Sequence, residues 1–365
     1  MFASYVGFTF LAWYLNGLGA VLPPLRDDVG DWAAVYPLLP GAVLFVWGVV
    51  TVARTGHAKR STHEPGIAIG FVTLTVAMCV MGITAWPLVS VLGALLAAIA
   101  AGQVNRTLPA KLALATSGRP VQPVMMRANA FSSVAAIIAP LAVGLSLAIG
   151  AGWLPGYVIP VAIGAVLVCV AAFKEPKVEP IAETVDLAPV PPFRTWWRPC
   201  AVLSVAIVVE FCFAFFAVTY LNEDLGMSKA AAAAGGAAWG VGMALGRFVF
   251  SVRPAPASIV PSAAVILVGF LLFWGVPTPV VAIVGLGIAG LGASPLYPSR
   301  ITLLMERFPG ATHEGSKRAA LAPGVALLVA PALMVSLRAA TDVRTAYLAV
   351  PVLLVILVAL ARPSA

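Results

Sequence analysis

Long apolar runs recur along the whole chain, separated by short polar segments. Most runs hold about 20 residues, the length that an α-helix needs to cross roughly 30 Å of hydrocarbon. None of them alternates apolar with polar residues as a membrane β-strand does. The pattern therefore predicts an all-α membrane protein with twelve transmembrane helices. The predicted spans are residues 2–23, 32–52, 66–85, 87–115, 124–150, 153–173, 198–221, 228–250, 258–274, 279–308, 317–337 and 343–361.

A proline-rich stretch divides the twelve spans into two sets of six. Residues 174–197 hold five prolines among acidic residues, so this stretch is too polar and too interrupted to cross a bilayer. We expect an N-terminal six-helix bundle over residues 1–173, a cytoplasmic linker over 174–197 and a C-terminal six-helix bundle over 198–365.

Composition supports lipid as the surrounding solvent. The 365 residues are 61% hydrophobic and 10% charged, more apolar surface than a soluble chain of this size buries. The first apolar run lacks a basic leader and a cleavage site, so we expect it to be retained as a helix rather than removed as a signal peptide. The net charge of +8 is spread between apolar runs instead of gathering on a soluble domain, which argues against nucleic acid as a partner.

The distribution of Lys and Arg predicts the topology. With the N-terminus inside, the inner loops hold thirteen basic residues and the outer loops hold four. Because short loops rich in Lys and Arg stay in the cytoplasm, both termini are expected there, with the protein in the inner (plasma) membrane.

The two halves of the chain resemble each other in sequence. Residues 25–32 (LRDDVGDW) follow the first span, and residues 221–228 (LNEDLGMS) follow the seventh at an offset of 196. Residues 108–112 match 297–301 at an offset of 189. Such repeats indicate a duplicated helical unit, as in transporters whose two bundles tilt about a central site.

Two segments carry a resemblance to a known family. Residues 238–247 (AWGVGMALGR) and 292–298 (GASPLYP) resemble the eighth and tenth helices of the fucose-permease-like branch of the major facilitator superfamily. This resemblance implies two pseudo-symmetric bundles, alternating access, a small-molecule substrate and a monomeric protein in contact with membrane lipids. The fifth-helix pattern of drug antiporters is reduced to Ala139-Pro140 and Gly144, which disfavours drug–proton antiport.

Glu210 is the strongest candidate for proton coupling. It lies near the middle of the seventh span, where a charged carboxylate costs about 2.5–3.5 kcal/mol. We therefore expect it to be protonated or paired, which suits a group that accepts a proton on one side of the membrane and releases it on the other. The alternative is a protonated acid that only forms a hydrogen bond between helices.

Arg106 is the second candidate, in the fourth span with Gln103 and Asn105 as accessory donors. Its guanidinium is suited to bind a carboxylate of the substrate or to pair with Glu210. Alternatively, its side chain extends to the cytoplasmic headgroups.

Several further polar and aromatic residues are predicted to line the pathway. Asn16 and Tyr14 in the first span are candidates, with an interhelical hydrogen bond of Asn16 as the alternative. Trp239 and Tyr297 are suited to stack on a substrate ring, or else to fill packing space.

Four arginines are predicted to act in gating. Arg247 ends the eighth span, and its alternative role is ordinary anchoring at the cytoplasmic face. Arg54 lies in the loop between the second and third spans, where the family's usual acidic residue is missing. Arg127 and Arg318 each stand thirteen residues before a proline, at an offset of 191.

No metal, cofactor or enzyme motif is apparent in the sequence. His57, His63 and His313 lack the helical spacing of a zinc enzyme, and the four cysteines form no CxxC pair. The predicted function is proton-coupled symport of a sugar or small organic acid. The alternatives are proton-antiport efflux of a drug-like metabolite and, from another class, a lipid-modifying enzyme that uses the loop histidines.

Overall fold

The computed structural model describes residues 2–53, 67–115, 121–174, 191–252, 259–309 and 312–362, and within these ranges every regular element is a helix. A short 3-10 turn, Gly30–Ala34, follows the first helix. The α-helices are α1 (Phe2–Val29), α2 (Leu38–Ala53), α3 (Ile67–Met81), α4 (Pro87–Ala115), α5 (Val121–Ala148), α6 (Leu154–Lys174), α7 (Phe193–Glu223), α8 (Lys229–Val252), α9 (Ile259–Gly275), α10 (Pro279–Ala293), α11 (Leu296–Met305), α12 (Thr312–Ala319), α13 (Leu321–Ala340), α14 (Val343–Ala346) and α15 (Ala349–Ala361).

Eight helical segments in the described part of the chain are long and apolar enough to cross a membrane. Three shorter apolar helices, α2, α3 and α9, accompany them. Many large apolar side chains on these helices are exposed, as lipid-facing residues are. The chain is thus a multi-pass membrane protein, while the arrangement as twelve spans stays a prediction.

Two helices, α1 and α7, extend furthest beyond the predicted span boundaries. α1 continues through Pro23 and Pro24 to Val29 instead of ending at residue 23. α7 begins at Phe193, so the last residues of the predicted linker are helical. The reason is a tertiary contact: the Trp196 ring packs against the Phe308 ring with centroids 6.1 Å apart, which rewards helix formation in this aromatic segment.

The tenth predicted span is interrupted rather than continuous. α10 ends at Ala293 and α11 starts at Leu296, because Pro295 and Pro298 cannot donate the helical hydrogen bonds to the carbonyls of Leu291 and Ser294. The Ser294 hydroxyl donates instead to the Leu291 carbonyl at 2.9 Å.

The described residues form two compact units. Unit 1 contains residues within 2–40, 67–174 and 228–237, and unit 2 contains those within 41–53, 191–227 and 238–362. In unit 1, α1 packs on α4, α5 and α6. In unit 2, α7 packs on α10, α11, α13 and α15.

The glycines of the matched segments after the first and seventh spans have the same backbone conformation, each within its own unit. Gly30 and Gly226 both adopt a left-handed conformation, with φ of +62° and +66°. A residue with a side chain is strained there, which explains why both copies have glycine. In unit 1, Trp153 Nε1 donates to Asp28 at 2.7 Å, and in unit 2 Arg344 pairs with Asp224 at 3.0 Å.

Candidate functional site

Glu210 occupies the middle of α7, thirteen residues before the end of the helix at Glu223. At 1.5 Å per residue it lies about 20 Å from that end. Most of the α7 residues around it are buried, whereas Glu210 is partly accessible. Because ionisable groups at this depth generally face the interior of a helix bundle or a water-filled cavity, we expect polar surroundings for this carboxyl group.

Small residues bring α8 close to α10 inside unit 2. A Cβ atom on Gly246 would lie 2.8 Å from the Leu291 carbonyl oxygen and would overlap the Ser294 hydroxyl. A Cβ atom on Gly242 would lie 2.9 Å from the Leu291 nitrogen. Because only glycine permits this approach, Arg247 is held at the level of the interruption between α10 and α11.

The interruption places Tyr297 in the first turn of α11. Tyr297 and Arg300, one turn further on, are both partly accessible. α11 also packs directly on α7, the helix that carries Glu210. The electrostatic interaction of Tyr297 with Glu210 relates the start of α11 to the middle of α7.

Three side chains from α7, α8 and α11 interact electrostatically. The charge of Arg247 acts on Glu210, and the Tyr297 phenol interacts with both of them. We name these residues, Glu210, Arg247 and Tyr297, the charged cluster of unit 2. It combines a proton acceptor, a fixed positive charge and a hydroxyl donor, which together can bind a polar group and a proton.

The structure thus places two of the predicted site residues, Glu210 and Tyr297, together with a residue that was predicted to act in gating. Arg247 is near Glu210, in the role of charge partner that the sequence suggested for Arg106. No sequence signal could have identified this pair, because it depends on how α8 is rotated against α7. The gating role of Arg247 stays a prediction.

The predicted residues of the first helix lie in a largely aromatic centre of unit 1. Tyr14 is 2% exposed and its ring stacks on Tyr157, whose hydroxyl donates to the Tyr14 carbonyl at 2.7 Å. Asn16 is partly accessible and donates to the Ala12 carbonyl at 2.8 Å. Among the described residues, the buried Trp13 Nε1 has no hydrogen-bond acceptor.

The other predicted residues are distributed over the structure. Trp239 is 4% exposed and stacks on Phe213 with centroids 5.1 Å apart. Gln103 is partly accessible and Asn105 is exposed. Arg318 is 9% exposed, and its guanidinium lies 5.8 Å from the centre of the Trp196 ring.

Some predictions lie outside the described residues. The side chains of Arg106, Arg127 and His313 are among them, as are Arg54, His57 and His63 as a whole. In the part of the chain that the structure describes, no three His, Cys, Asp or Glu side chains are grouped to hold a metal ion.

Comparison with known proteins identifies the family. The sequence profile of the Major Facilitator Superfamily matches residues 2–317. Among solved structures, a bacterial homologue of the human lysosomal transporter Spinster superposes with a TM-score of 0.70 at 17% identity, over 98% of this chain and 96% of the other. The nucleoside transporter NupG superposes with a TM-score of 0.71 at 16% identity, over 99% and 98% of the two chains.

A third solved structure, the fucose:proton symporter FucP of E. coli, superposes with a TM-score of 0.62 at 17% identity, over 99% of this chain and 97% of the other. At these identities the structural similarity supports the fold alone. No curated protein sequence matches the chain. Because the family profile covers most of its length, the chain belongs to the Major Facilitator Superfamily of membrane transporters.

Proposed function

We propose that the protein is a secondary active transporter that couples the movement of a sugar or small organic acid to protons by symport. The observation that carries this proposal is the charged cluster of unit 2, with a partly accessible carboxyl group in the middle of a membrane helix. A charge at that depth is costly, about 2.5–3.5 kcal/mol on the insertion scale, so its presence favours a role in transport.

The cluster is suited to proton coupling because it offers a counter-charge to the ionised form of Glu210. When Glu210 is ionised, the nearby positive charge of Arg247 compensates it. When Glu210 binds a proton, it no longer needs a counter-charge, and a polar group of the substrate can then interact with Arg247 and Tyr297. Proton binding and substrate binding are thereby linked, as coupling by differential binding requires.

The comparisons support this proposal without specifying the solute. One structural neighbour bears the name of a fucose:proton symporter and another that of a nucleoside transporter. Both names describe movement of polar small molecules. The same family membership makes alternating access of two six-helix bundles, residues 1–173 and 198–365, the mechanism that we propose here.

We also propose the topology that the basic residues indicate, with both termini in the cytoplasm and the linker 174–197 between the bundles on that side. In this orientation, the side of Glu210 towards Glu223 is the outer side. Arg54, Arg127 and Arg318 would act at the inner gate, and a monomer would be the working unit.

The test is transport by the purified protein in liposomes. Solutes are first selected by their ability to raise Tm, since a ligand that binds the native state stabilises it. A pH difference, acid outside, should then drive solute accumulation in liposomes that contain the wild type. Glu210→Gln should retain solute exchange between two equal pools but lose the accumulation, because the amide cannot carry a proton.

Three outcomes would contradict this proposal. Accumulation that persists in Glu210→Gln would exclude this carboxyl as the coupling group. Solute that moves out as protons move in would establish proton-antiport efflux instead. Equilibration without any response to the pH difference would indicate a uniporter.

A further inference from the structure

The helix α7 is longer than a membrane span requires. Its 31 residues extend over about 46 Å at 1.5 Å per residue, whereas the hydrocarbon layer is about 30 Å thick. The far end of α7 is followed by charged pairs, Glu223 with Arg338 at 2.7 Å and Asp224 with Arg344 at 3.0 Å. We therefore expect about ten residues at the beginning of α7 to lie at the opposite membrane–water interface.

The beginning of α7 has the composition of an interfacial segment. Residues 193–198 read FRTWWR, and the side chains of Phe193 and Trp197 are 64% and 42% exposed. These two residues are four apart, so their rings lie on the same side of the helix. Arg194 beside them is also exposed. Aromatic rings together with arginines are typical of the level of the lipid headgroups.

Printed contacts join this segment to three other parts of unit 2. The Trp196 ring packs against Phe308, after α11, with centroids 6.1 Å apart. The guanidinium of Arg318 in α12 lies 5.8 Å from the centre of the same Trp196 ring. Arg198 Nε donates to the carbonyl of Leu360 in α15 at 2.7 Å. These contacts assemble one continuous surface from four segments of the chain.

Positive charge exceeds negative charge on this surface. We name its four segments, residues 193–198, 305–309, 312–319 and 360–362, the basic end of unit 2. They contain two acids, Glu306 and Glu314, and six basic residues, a formal excess of four positive charges. The basic residues are Arg194, Arg198, Arg307, Lys317, Arg318 and Arg362, of which the first, the third and the last are exposed.

The opposite end of unit 2 is nearly balanced in charge. Glu223, Asp224 and Asp342 stand there with Arg338 and Arg344, and two ion pairs join these residues across the helices. Arg344 also lies over an aromatic ring, that of Trp274, at 5.0 Å. An arginine near a tryptophan thus occurs at both ends, and the excess of positive charge distinguishes the basic end.

We propose that the basic end of unit 2 binds an anionic phospholipid of the adjacent leaflet. The arginines bind the phosphate of the headgroup, since a guanidinium matches the oxygens of a phosphate, and the exposed rings of Phe193 and Trp197 contact the upper part of the acyl chains. A soluble anion would leave these rings in water, and a neutral lipid would leave the excess charge uncompensated. This inference is independent of the transported solute, and only the choice of the cytoplasmic leaflet rests on the proposed topology.

The experiment compares two lipids that differ in net charge. The purified full-length protein in neutral detergent is titrated with phosphatidylglycerol or with phosphatidylcholine of the same acyl chains, and bound lipid is counted by native mass spectrometry. We expect the first phosphatidylglycerol to bind at least about tenfold more tightly, since each arginine near an anionic headgroup contributes about fivefold. Tm should rise more with phosphatidylglycerol than with phosphatidylcholine, and the difference should shrink in high salt.

Variants assign the binding to this surface. Arg194→Gln and Arg307→Gln should each weaken phosphatidylglycerol binding by about fivefold, and the double variant should weaken it further. Trp197→Ala should weaken both lipids alike, because it removes an apolar contact and no charge. Because all three side chains are exposed, the variants should keep the Tm of the wild type in phosphatidylcholine.

Lys229→Gln is the charge-matched control. It removes one positive charge from unit 1, where Lys229 pairs with Asp27, on the side that the topology predicts to be outside. This variant should bind phosphatidylglycerol as the wild type does. An equal loss of affinity in Lys229→Gln and Arg194→Gln would show that net charge alone attracts the lipid, and the proposed surface would be wrong.

Other outcomes would overturn the inference as well. Equal affinity for the two lipids, or phosphatidylglycerol binding that the double arginine variant leaves unchanged, would exclude an anionic-lipid site here. Inorganic phosphate that raises Tm as much as phosphatidylglycerol would identify a site for soluble anions. A dimer that the double arginine variant dissociates would assign the surface to a second copy of the chain. None of these results affects the transport assay that tests the proposed function.

Discussion

The two units contain similar connections at one end of their helices and different residues at the centre. In unit 1, Asp28 after α1 accepts a hydrogen bond from Trp153, which immediately precedes α6. In unit 2, Asp224 after α7 pairs with Arg344 of α14, at the start of the last predicted span. In the predicted repeats, both connections join the first helix to the sixth.

At the centre the two units differ. The offset of 196 that aligns Gly30 with Gly226 also aligns Tyr14 with Glu210, and the offset of 189 aligns Leu108 with Tyr297. Tyr14 and Leu108 are buried, while Glu210 and Tyr297 are partly accessible. A duplicated scaffold therefore keeps the contacts that hold its helices, and the positions that differ between the copies are where we place the chemistry.

The largest effect on transport is expected from substituting the central residue of each unit, Glu210 in unit 2 and Tyr14 in unit 1. Glu210→Gln should reduce proton-driven accumulation to the level of equilibration, while Tyr14→Phe should leave it within about twofold, because the Tyr14 ring packs on Tyr157 and carries no charge. Liposome transport at a fixed pH difference measures both. Equal losses in the two variants would show that the centres do not differ in function.

The second largest difference between the units is expected where glycines allow close helix packing. Gly246→Ala in unit 2 places a methyl group against the backbone carbonyl of Leu291, which cannot move independently, so we expect a loss of about 1–3 kcal/mol in stability and a loss of transport as Arg247 shifts. Gly17→Ala in unit 1 meets the ring edge of Tyr157 at 2.8 Å, and a ring can tilt.

Gly17→Ala should therefore cost less than Gly246→Ala. Thermal unfolding in detergent, combined with transport assays, compares the two variants. Gly275→Ala is a suitable control, because its added methyl group meets no atom within 4 Å. A larger loss in Gly17→Ala than in Gly246→Ala would contradict the prediction.

The Asp224–Arg344 pair of unit 2 and the Asp28–Trp153 hydrogen bond of unit 1 should differ less in their contributions to stability. Asp224→Asn leaves Arg344 without its carboxylate, and since both side chains are partly exposed we expect a cost of about 1 kcal/mol. Asp28→Asn keeps a carbonyl acceptor for the Trp153 N–H and should cost about 0.5 kcal/mol or less. Chemical denaturation can rank the two variants, and the reverse order would contradict the assignment of the stronger connection to unit 2.

The smallest effect concerns Asp342, which caps α14 and lies just before the last predicted span. Its side chain accepts from the Thr345 backbone N–H at 2.7 Å, and this bond, with a second from the Thr345 hydroxyl, holds the pKa of Asp342 below its usual value of 3.8. Since the folded-state pKa is lowered, the stabilisation is present above the unfolded-state pKa of 3.8 and is lost as pH falls through the lower folded value.

Tm measured between pH 6 and 2.5 should therefore show a small decrease in the wild type, centred below about pH 4, that Asp342→Asn lacks. α6 in unit 1 has no acidic residue in its first turn, so unit 1 offers no equivalent group. An identical pH profile for the variant and the wild type would show that the cap does not contribute.

Several features of the fold were predictable because they depend on local composition. Apolar runs indicated membrane helices, and the paired Asp-x-Gly segments indicated the repeat. The interruption of the tenth span was visible as Pro295 and Pro298, although the span was predicted as continuous. The predicted linker overlaps the start of α7. The Trp196 ring there contacts Phe308, which is distant in the chain, and no local pattern reveals that contact.

The sequence by itself determined that this chain enters lipid and that Glu210 is an unusual charge at membrane depth, and it predicted that the helices come in repeated sets. These conclusions need only the free energy of transferring side chains from water and the length of a helix. Only the tertiary structure decided that Arg247 and Tyr297 are the neighbours of Glu210. That pairing depends on the rotation and separation of α7, α8 and α11, which the glycine contacts of α8 and the break before α11 control through packing between residues distant in the chain.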